Sequence, residues 1–412
     1  MRDLPAKKMA DLTSEPSPTS RRALEWFVFF VANLQTGFGP FISVYLTTQR
    51  WTQVDIGIIL SIGSIAGLLG QVPGGWVVDA ARSKIRAAMM LAVIAIGVSA
   101  FLIATFPSFS ILVGVELMHA VASSVLGPGI AALTLGLVGH AAISQQLGRN
   151  ARFAAIGSGV AAGVMGAIGY LVSPQAVFYV TAALAIPTLL ALRRIRDVEV
   201  DPERCCGGIS ARGNNGALSL GQLLRTPALV GITASVLLFQ IANAAMLPLV
   251  GSAITMRSSQ LATPLVAAAI VAPQLVVAAI SPSVGQLAQS WGRRPALLMG
   301  FGALAVRGAL LAWTTDPAVI VAVQMLDGIS GAVLGILVPL VLADITQGTG
   351  RFNFAQGVVG SATGIGAALS TFLAGYMADH WGTSAALLGL AGMTLCGFVV
   401  VLSAMPETRP AP

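Results

Sequence analysis

The stretch that decides the fold is residues 111–128, ILVGVELMHAVASSVLGP, which is apolar throughout apart from Glu116, His119 and two serines. Glu116 and His119 stand three positions apart, which puts them on one face of a helix. A charged group at the centre of a membrane helix costs roughly 2.5–3.5 kcal/mol on insertion scales. Ionisable side chains at that depth face a protein interior or a water-filled cavity and mark a path for ions or substrate. The pattern returns at residues 323–335, VQMLDGISGAVLG, with Gln324 in place of Glu116 and Asp327 in place of His119.

Working outward, the 412 residues are 56% hydrophobic and only 9% charged. A soluble domain carries roughly 25% charged residues, so too little polar material is present to clothe a water-soluble globule. Twelve apolar segments follow one another, at 26–48, 56–79, 86–106, 109–138, 152–172, 175–193, 227–250, 262–288, 295–314, 317–343, 354–378 and 383–404. Each is long enough to cross a hydrocarbon core of about 30 Å at 1.5 Å per residue. The expected organisation is a disordered cytoplasmic tail over 1–25, a six-helix half over 26–193 and a cytoplasmic linker over 194–226. A second six-helix half follows over 227–404, then a short tail over 405–412.

The polar first 25 residues have neither the apolar core nor the cleavage site of a secretory signal. With the N-terminus inside, Arg82, Lys84, Arg86, Arg149, Arg152, Arg193, Arg194, Arg196, Arg293, Arg294 and Arg351 all fall in inner connections, against Arg50 and Arg257 outside. This positive-inside asymmetry predicts cytoplasmic termini. It also accounts for the net charge of +7, as topology signals and contacts for anionic lipid rather than a nucleic-acid site. The cysteines Cys205, Cys206 and Cys396 form neither a disulfide framework nor a metal-ligand pattern.

The two halves repeat at a near-constant offset. Ala32-Asn33 matches Ala242-Asn243, Gly75 matches Gly285, and VELMHAVASSVLG matches VQMLDGISGAVLG. Paired halves of this kind are a hallmark of alternating-access carriers.

Twelve helices, a central linker and this repeat resemble the major facilitator superfamily across essentially the whole chain. That family's most specific signature, G-x-x-x-D-R-x-G-R-R between its second and third helices, is matched here by Gly75 and Asp79, with Arg82 at the loop glycine and the basic residues displaced. The second copy keeps Gly285 and Gly292-Arg293-Arg294 but has Gln289 for the acid. The resemblance implies an all-α polytopic membrane protein with the major facilitator fold, in two pseudo-symmetric halves. It also implies a gating role for Gly75, Asp79, Arg82, Gly285, Arg293 and Arg294. The glycines allow close helix approach. Asp79, at a helix C-terminus where the dipole disfavours an anion, needs a cation or a helix N-terminus as partner.

Proton-coupled exporters of the family carry L-x-x-x-R-x-x-Q-G on helix 4. In this register the arginine is Glu116 and the glutamine is His119. Glycine runs at Gly157, Gly159, Gly163, Gly166 and Gly169, and at Gly357, Gly360, Gly364 and Gly366, suit close helix packing.

Four ionisable side chains lie within the segments: Glu116, His119, Arg307 and Asp327. They are the proton-coupling candidates. A carboxyl in a low-dielectric cavity can load and release a proton, and histidine titrates near neutrality. Sharing a face, Glu116 and His119 could pass a proton between them. Arg307 and Asp327, at similar depth on neighbouring helices, are expected to pair, in a coupling site or a static ion pair. The family's cavity-lining helices are the first, fourth, seventh and tenth. That makes Asn33, Gln35, Gln240, Asn243 and Gln324 the substrate-binding candidates, amides that both donate and accept. Pro40, Pro128, Pro248 and Pro339 interrupt the same four helices and suit bending segments.

No catalytic motif, phosphate-binding loop or metal cluster is present in the sequence, so no enzyme activity and no cofactor are expected. The expected function is proton-coupled efflux of a small organic solute across a bacterial-type inner membrane. The alternative is an uptake symporter or facilitator for a small metabolite. A polytopic receptor or membrane enzyme would concentrate its polar chemistry in one half. The expected partners are the solute, protons or another coupling ion, and the lipid bilayer, with the chain acting as a monomer.

Overall fold

The computed structural model describes residues 16–38, 40–208, 220–250 and 259–409. The described residues are almost entirely helical. In order they form α1 (Pro18–Thr36), α2 (Pro40–Thr48), α3 (Gln53–Ala80), α4 (Ile85–Thr105), α5 (Phe109–Leu171) and α6 (Pro174–Arg193). After the connecting segment come α7 (Leu220–Leu224), α8 (Pro227–Asn243), α9 (Ser259–Ser290), α10 (Arg293–Trp313), α11 (Pro317–Ile345), α12 (Phe352–Trp381) and α13 (Thr383–Ala404). Eleven helical stretches among these are long and apolar enough to span a membrane.

Helix starts are written locally. Ser17 caps α1 by accepting the Ser20 N–H at 3.2 Å, with Pro18 in the first turn, and Ser173 and Pro174 do the same for α6. Thr52 caps α3 through the Asp55 N–H. Before α10 and α13 the chain turns at Gly292 (φ 109°) and Gly382 (φ 86°), a backbone region that favours glycine.

Three details depart from the sequence reading. The first helix begins at Pro18, so residues 18–25, expected in the tail, are helical; Ser17 caps the start and Glu25 pairs with Arg149 at 3.8 Å. Residues 1–15 of that tail lie outside the described residues. The fourth and fifth segments join in α5, which is broken at Gly139 (φ 67°, ψ 177°). Past that break the chain returns on itself, so the Asn150 amide donates to Thr134 Oγ1 at 2.9 Å and the Gln146 amide to Asn150 Oδ1 at 3.1 Å.

The first part of the expected linker is packed rather than free. Cys205 and Cys206 are buried, Asp201 N–H donates to the Gly136 carbonyl at 3.0 Å, and a Cβ on Gly136 would overlap the Cys205 sulfur. Burial pushes the Cys205 thiol well up, and the Cys206 thiol too, the nearby Arg82 side chain opposing the latter shift. Both behave as packing residues. Residues 209–219 of the linker, residues 410–412 of the final tail, and Arg257 lie outside the described residues.

Two units result. One comprises 1–217 together with 346–357, the other 218–345 with 358–412. In the first, α5 packs on α1, α3 and α4, and α6 on α1 and α4. Its core is built from Leu24, Phe27, Leu34, Ile96, Leu126, Leu133 and Phe178 among others. In the second, α11 packs on α9 and α10, and α13 on α8 and α10.

Candidate transport site

Glu116 lies on the first part of α5, one turn after Leu112, and is buried at 7% exposure. Its Oε1 has no hydrogen-bond partner. Gly63 on α3 makes the space: a Cβ there would collide with Glu116 Oε2. His119 does not hydrogen-bond Glu116. Its ring stacks on Phe38 at a centroid distance of 4.0 Å and 7° between planes, and its Nε2 lies 3.3 Å from Ser123 Oγ. The two residues share a helical face, but the imidazole's contacts are with Phe38 and Ser123 rather than with the carboxyl.

In the second unit, Arg307 on α10 is almost wholly buried, at 1% exposure. Its Nε donates to Gln324 Oε1 at 2.7 Å and its Nη1 to Asp327 Oδ1 at 2.7 Å, both on α11. Nη1 also donates to Asn243 Oδ1 at the end of α8. One guanidinium therefore gathers three candidates proposed for two different roles. Gln324 is buried, whereas the Asp327 side chain keeps 31% of its exposure. The acid is thus the accessible member of a pair whose cation is sealed.

The remaining amide candidates are dispersed. Asn33 is buried, and its Nδ2 donates to the Phe29 carbonyl at 2.9 Å against Gly157, where a Cβ would lie 3.0 Å from that nitrogen. Gln35, one helical position past Leu34, is exposed, and Gln240 is half-buried. Of the four prolines, Pro128 and Pro339 lie inside α5 and α11, and Pro40 starts α2 after a turn at Gly37-Phe38. Pro248 follows a turn at Ala244-Ala245.

The gating candidates sit at the helix ends. Asp79, in the last turn of α3, accepts the Asn353 N–H (3.2 Å) and Asn353 Nδ2 (2.8 Å) at Oδ1, and the Phe354 N–H (2.8 Å) at Oδ2. Its partner is thus the N-terminus of α12. Gly75 permits the approach, since a Cβ there would overlap the Asn353 carbonyl. Asn353 Nδ2 also donates to the Cys205 carbonyl at 3.0 Å. Backbone bonds from Gly348 N–H to Gly207 O (2.7 Å) and from Gly350 N–H to Gly208 O (3.0 Å) complete a clasp. Arg82 is exposed, and Arg86 pairs with Asp197.

In the second unit the buried Arg293 bonds Asp344 Oδ2 through Nε at 3.0 Å and the Ala288 carbonyl through Nη1 at 2.7 Å. Glu407 accepts the N–H groups of Arg293 (2.8 Å) and Arg294 (3.1 Å), capping α10. Gly285 is buried in α9. Sequence reasoning missed Gly63, Asp344, Asn353 and Glu407. For Asp344 and Glu407 a usable signal existed, an acid at the end of an apolar segment expected on the same side as the Arg293-Arg294 pair. Gly63 and Asn353 carried none.

Among the described residues no group of three or more His, Cys, Asp or Glu could hold a metal ion. The family model of the Major Facilitator Superfamily matches residues 26–313 and 232–412. An uncharacterised MFS-type transporter found in two strains of Mycobacterium tuberculosis is 38% identical over 397 residues, covering 95% of this chain and 94% of the relative. Among solved structures, the human organic anion transporter MFSD10 (TETRAN) superposes with a TM-score of 0.71 at 14% identity, over 94% of this chain and 100% of that one. That last likeness speaks for the fold alone.

Proposed function

This chain belongs to the major facilitator superfamily and is a multi-pass membrane transporter, and from that premise we propose that it exports a small organic solute by alternating access in exchange for protons. The observation that carries the reading is the Glu116 carboxyl, buried in an apolar span with an unpartnered Oε1. A buried polar atom without a hydrogen bond costs about 1–3 kcal/mol, and a charge there more. A proton on the carboxyl removes the charge, and its release requires a change in surroundings, which opening and closing of a cavity supplies. Glu116 is therefore the coupling group, with His119 shaping its cavity from the same helix.

The second half supplies the solute site. Asp327 is the accessible face of the Arg307 cluster, and protonating it would leave the guanidinium free to meet a polar or anionic group of the solute. Asn243 and Gln324 orient that guanidinium, while Gln35 and Gln240 are the amides left for direct contact. Asn33 lines the same helix as Gln35. The Asp79 contact with the start of α12, together with Gly75, Arg82, Gly285, Arg293 and Arg294, belongs to closure at the cytoplasmic ends. The excess of Lys and Arg in the inner connections supports an inner-membrane protein with both termini in the cytoplasm. The two six-helix halves, 26–193 and 227–404, are the units that alternate, and the protein acts as a monomer.

The test is a deletion strain challenged with a panel of toxic organic compounds. Hypersensitivity to at least one compound, restored by the wild-type chain but not by Glu116→Gln at equal membrane abundance, is expected. Equal rescue by Glu116→Gln would exclude the carboxyl as the coupling group.

A further inference from the structure

A groove of about 570 Å³ runs along the first unit between α1 and α6. Its composition is ordered along its length. On α1, Arg22, Trp26 and Phe30 follow at four-residue spacing and so form one stripe. At the C-terminal end of α6, the capping Arg194 followed by Leu190 and Pro187 forms the matching stripe, read towards the N-terminus. Both arginines are therefore at the same end, and the apolar residues extend away from them for about 12 Å, eight residues of helical rise. Both guanidiniums are exposed, and none of the residues lining the groove is acidic. Trp26 remains 48% exposed although it meets Phe29 and Phe153 edge-to-face and Phe30 at a tilt, at centroid distances of 5.3, 5.6 and 5.9 Å.

We propose that this groove binds one anionic phospholipid, its phosphate held between Arg22 and Arg194 and an acyl chain laid along Trp26, Phe30, Pro187 and Leu190. The occupant follows from charge complementarity and placement. Two cations with no opposing acid select an anion. The aromatic and aliphatic run continues from the cations along two membrane-spanning helices, the direction an acyl chain takes from its headgroup. Trp at the junction matches the interfacial position that aromatic side chains occupy. A soluble anion would use the arginines but leave the apolar stripe without a role. The proposal rests on the membrane assignment and not on proton coupling.

The test uses the full-length protein in vesicles of brominated phosphatidylglycerol or brominated phosphatidylcholine, with Trp26→Phe subtracted to isolate the Trp26 fluorescence. Stronger quenching by the anionic lipid is expected, and Arg22→Gln with Arg194→Gln should weaken that preference on the order of tenfold. Arg22→Lys with Arg194→Lys should retain most of it. Equal quenching of the wild-type protein by the two lipids would overturn the proposal, as would an undiminished preference in the double glutamine variant. Loss of the preference on adding millimolar inorganic phosphate would overturn it too, by identifying a soluble-anion site.

Discussion

Arg307 holds Asn243, Gln324 and Asp327 through one guanidinium at 1% exposure. Removing one partner of a buried ion pair leaves an uncompensated charge, at a cost of about 3–5 kcal/mol, whereas removing both is far milder. Asp327→Asn and Arg307→Gln singly should each lower the melting temperature in detergent, and the double variant should recover much of the loss. Additive losses would show that the two side chains do not act as a pair. The pair was legible in the sequence, because two opposite charges at like depth on neighbouring helices have few other partners. The capture of Asn243 and Gln324 was not, since an amide in a membrane helix reads equally as a solute ligand or as support for a neighbour. Gly63 lay further out of reach. Its meaning is the space it leaves for the Glu116 carboxyl, so Gly63→Ala should shift the pH profile of transport. An unaltered profile at normal abundance would show that the carboxyl tolerates the intrusion.

Elements meet at their ends through capping acids far away in sequence. Asp79 receives two backbone N–H groups of α12, and caps of this kind contribute about 0.5–2 kcal/mol. Asp79→Asn should therefore loosen 346–357 from the rest of the first unit and raise cysteine labelling of residues engineered there. Labelling equal to wild type would show that Asp79 does not hold that connection. The neighbouring clasp depends on Gly207, at φ 95°, where a Cβ would stand 2.8 Å from the Thr346 carbonyl. Gly207→Ala combines backbone strain of about 1–2 kcal/mol with that overlap, and should produce the same increase in labelling.

Glu407 plays the capping part for α10. Burial raises its carboxyl, but the N–H groups of Arg293, Arg409 and Arg294 and the Arg293 charge outweigh it, and the net shift is below the ordinary 4.5. A depressed folded-state value adds stability above the ordinary value, and that stability is lost as pH falls through the folded value. The gap in stability between wild type and Glu407→Gln should hold near neutrality and close below about pH 4.5; a gap independent of pH would rule out the carboxylate cap. Helices themselves were legible because apolar length sets them. The start of α1 was obscured by Arg21, Arg22 and Glu25, and the join within α5 by the polar stretch His140 to Arg152, which reads as a loop between two segments although it is helical.

At the scale of the whole molecule, the repeat of VELMHAVASSVLG as VQMLDGISGAVLG sets Glu116, whose Oε1 has no partner, in one half against Gln324 and Asp327, both held by the sealed Arg307 of α10, in the other. The family was legible from the paired halves and the Gly75–Asp79 signature. Which groups touch one another was not, because residues such as Asp79, Cys205 and Asn353 meet only once the chain has folded. The proposed division of labour has one direct consequence: if Glu116 is the coupling group, a proton it carries drives the movement of a solute bound near Arg307. The measurement that tests it most directly is solute uptake into proteoliposomes with an acidic lumen, using a compound identified by the deletion-strain screen. Wild-type protein should accumulate the solute against its gradient until a protonophore is added, while Glu116→Gln should still exchange solute for solute yet ignore the pH gradient. Accumulation by Glu116→Gln equal to that of wild type, or wild-type uptake indifferent to lumen pH, would contradict the account.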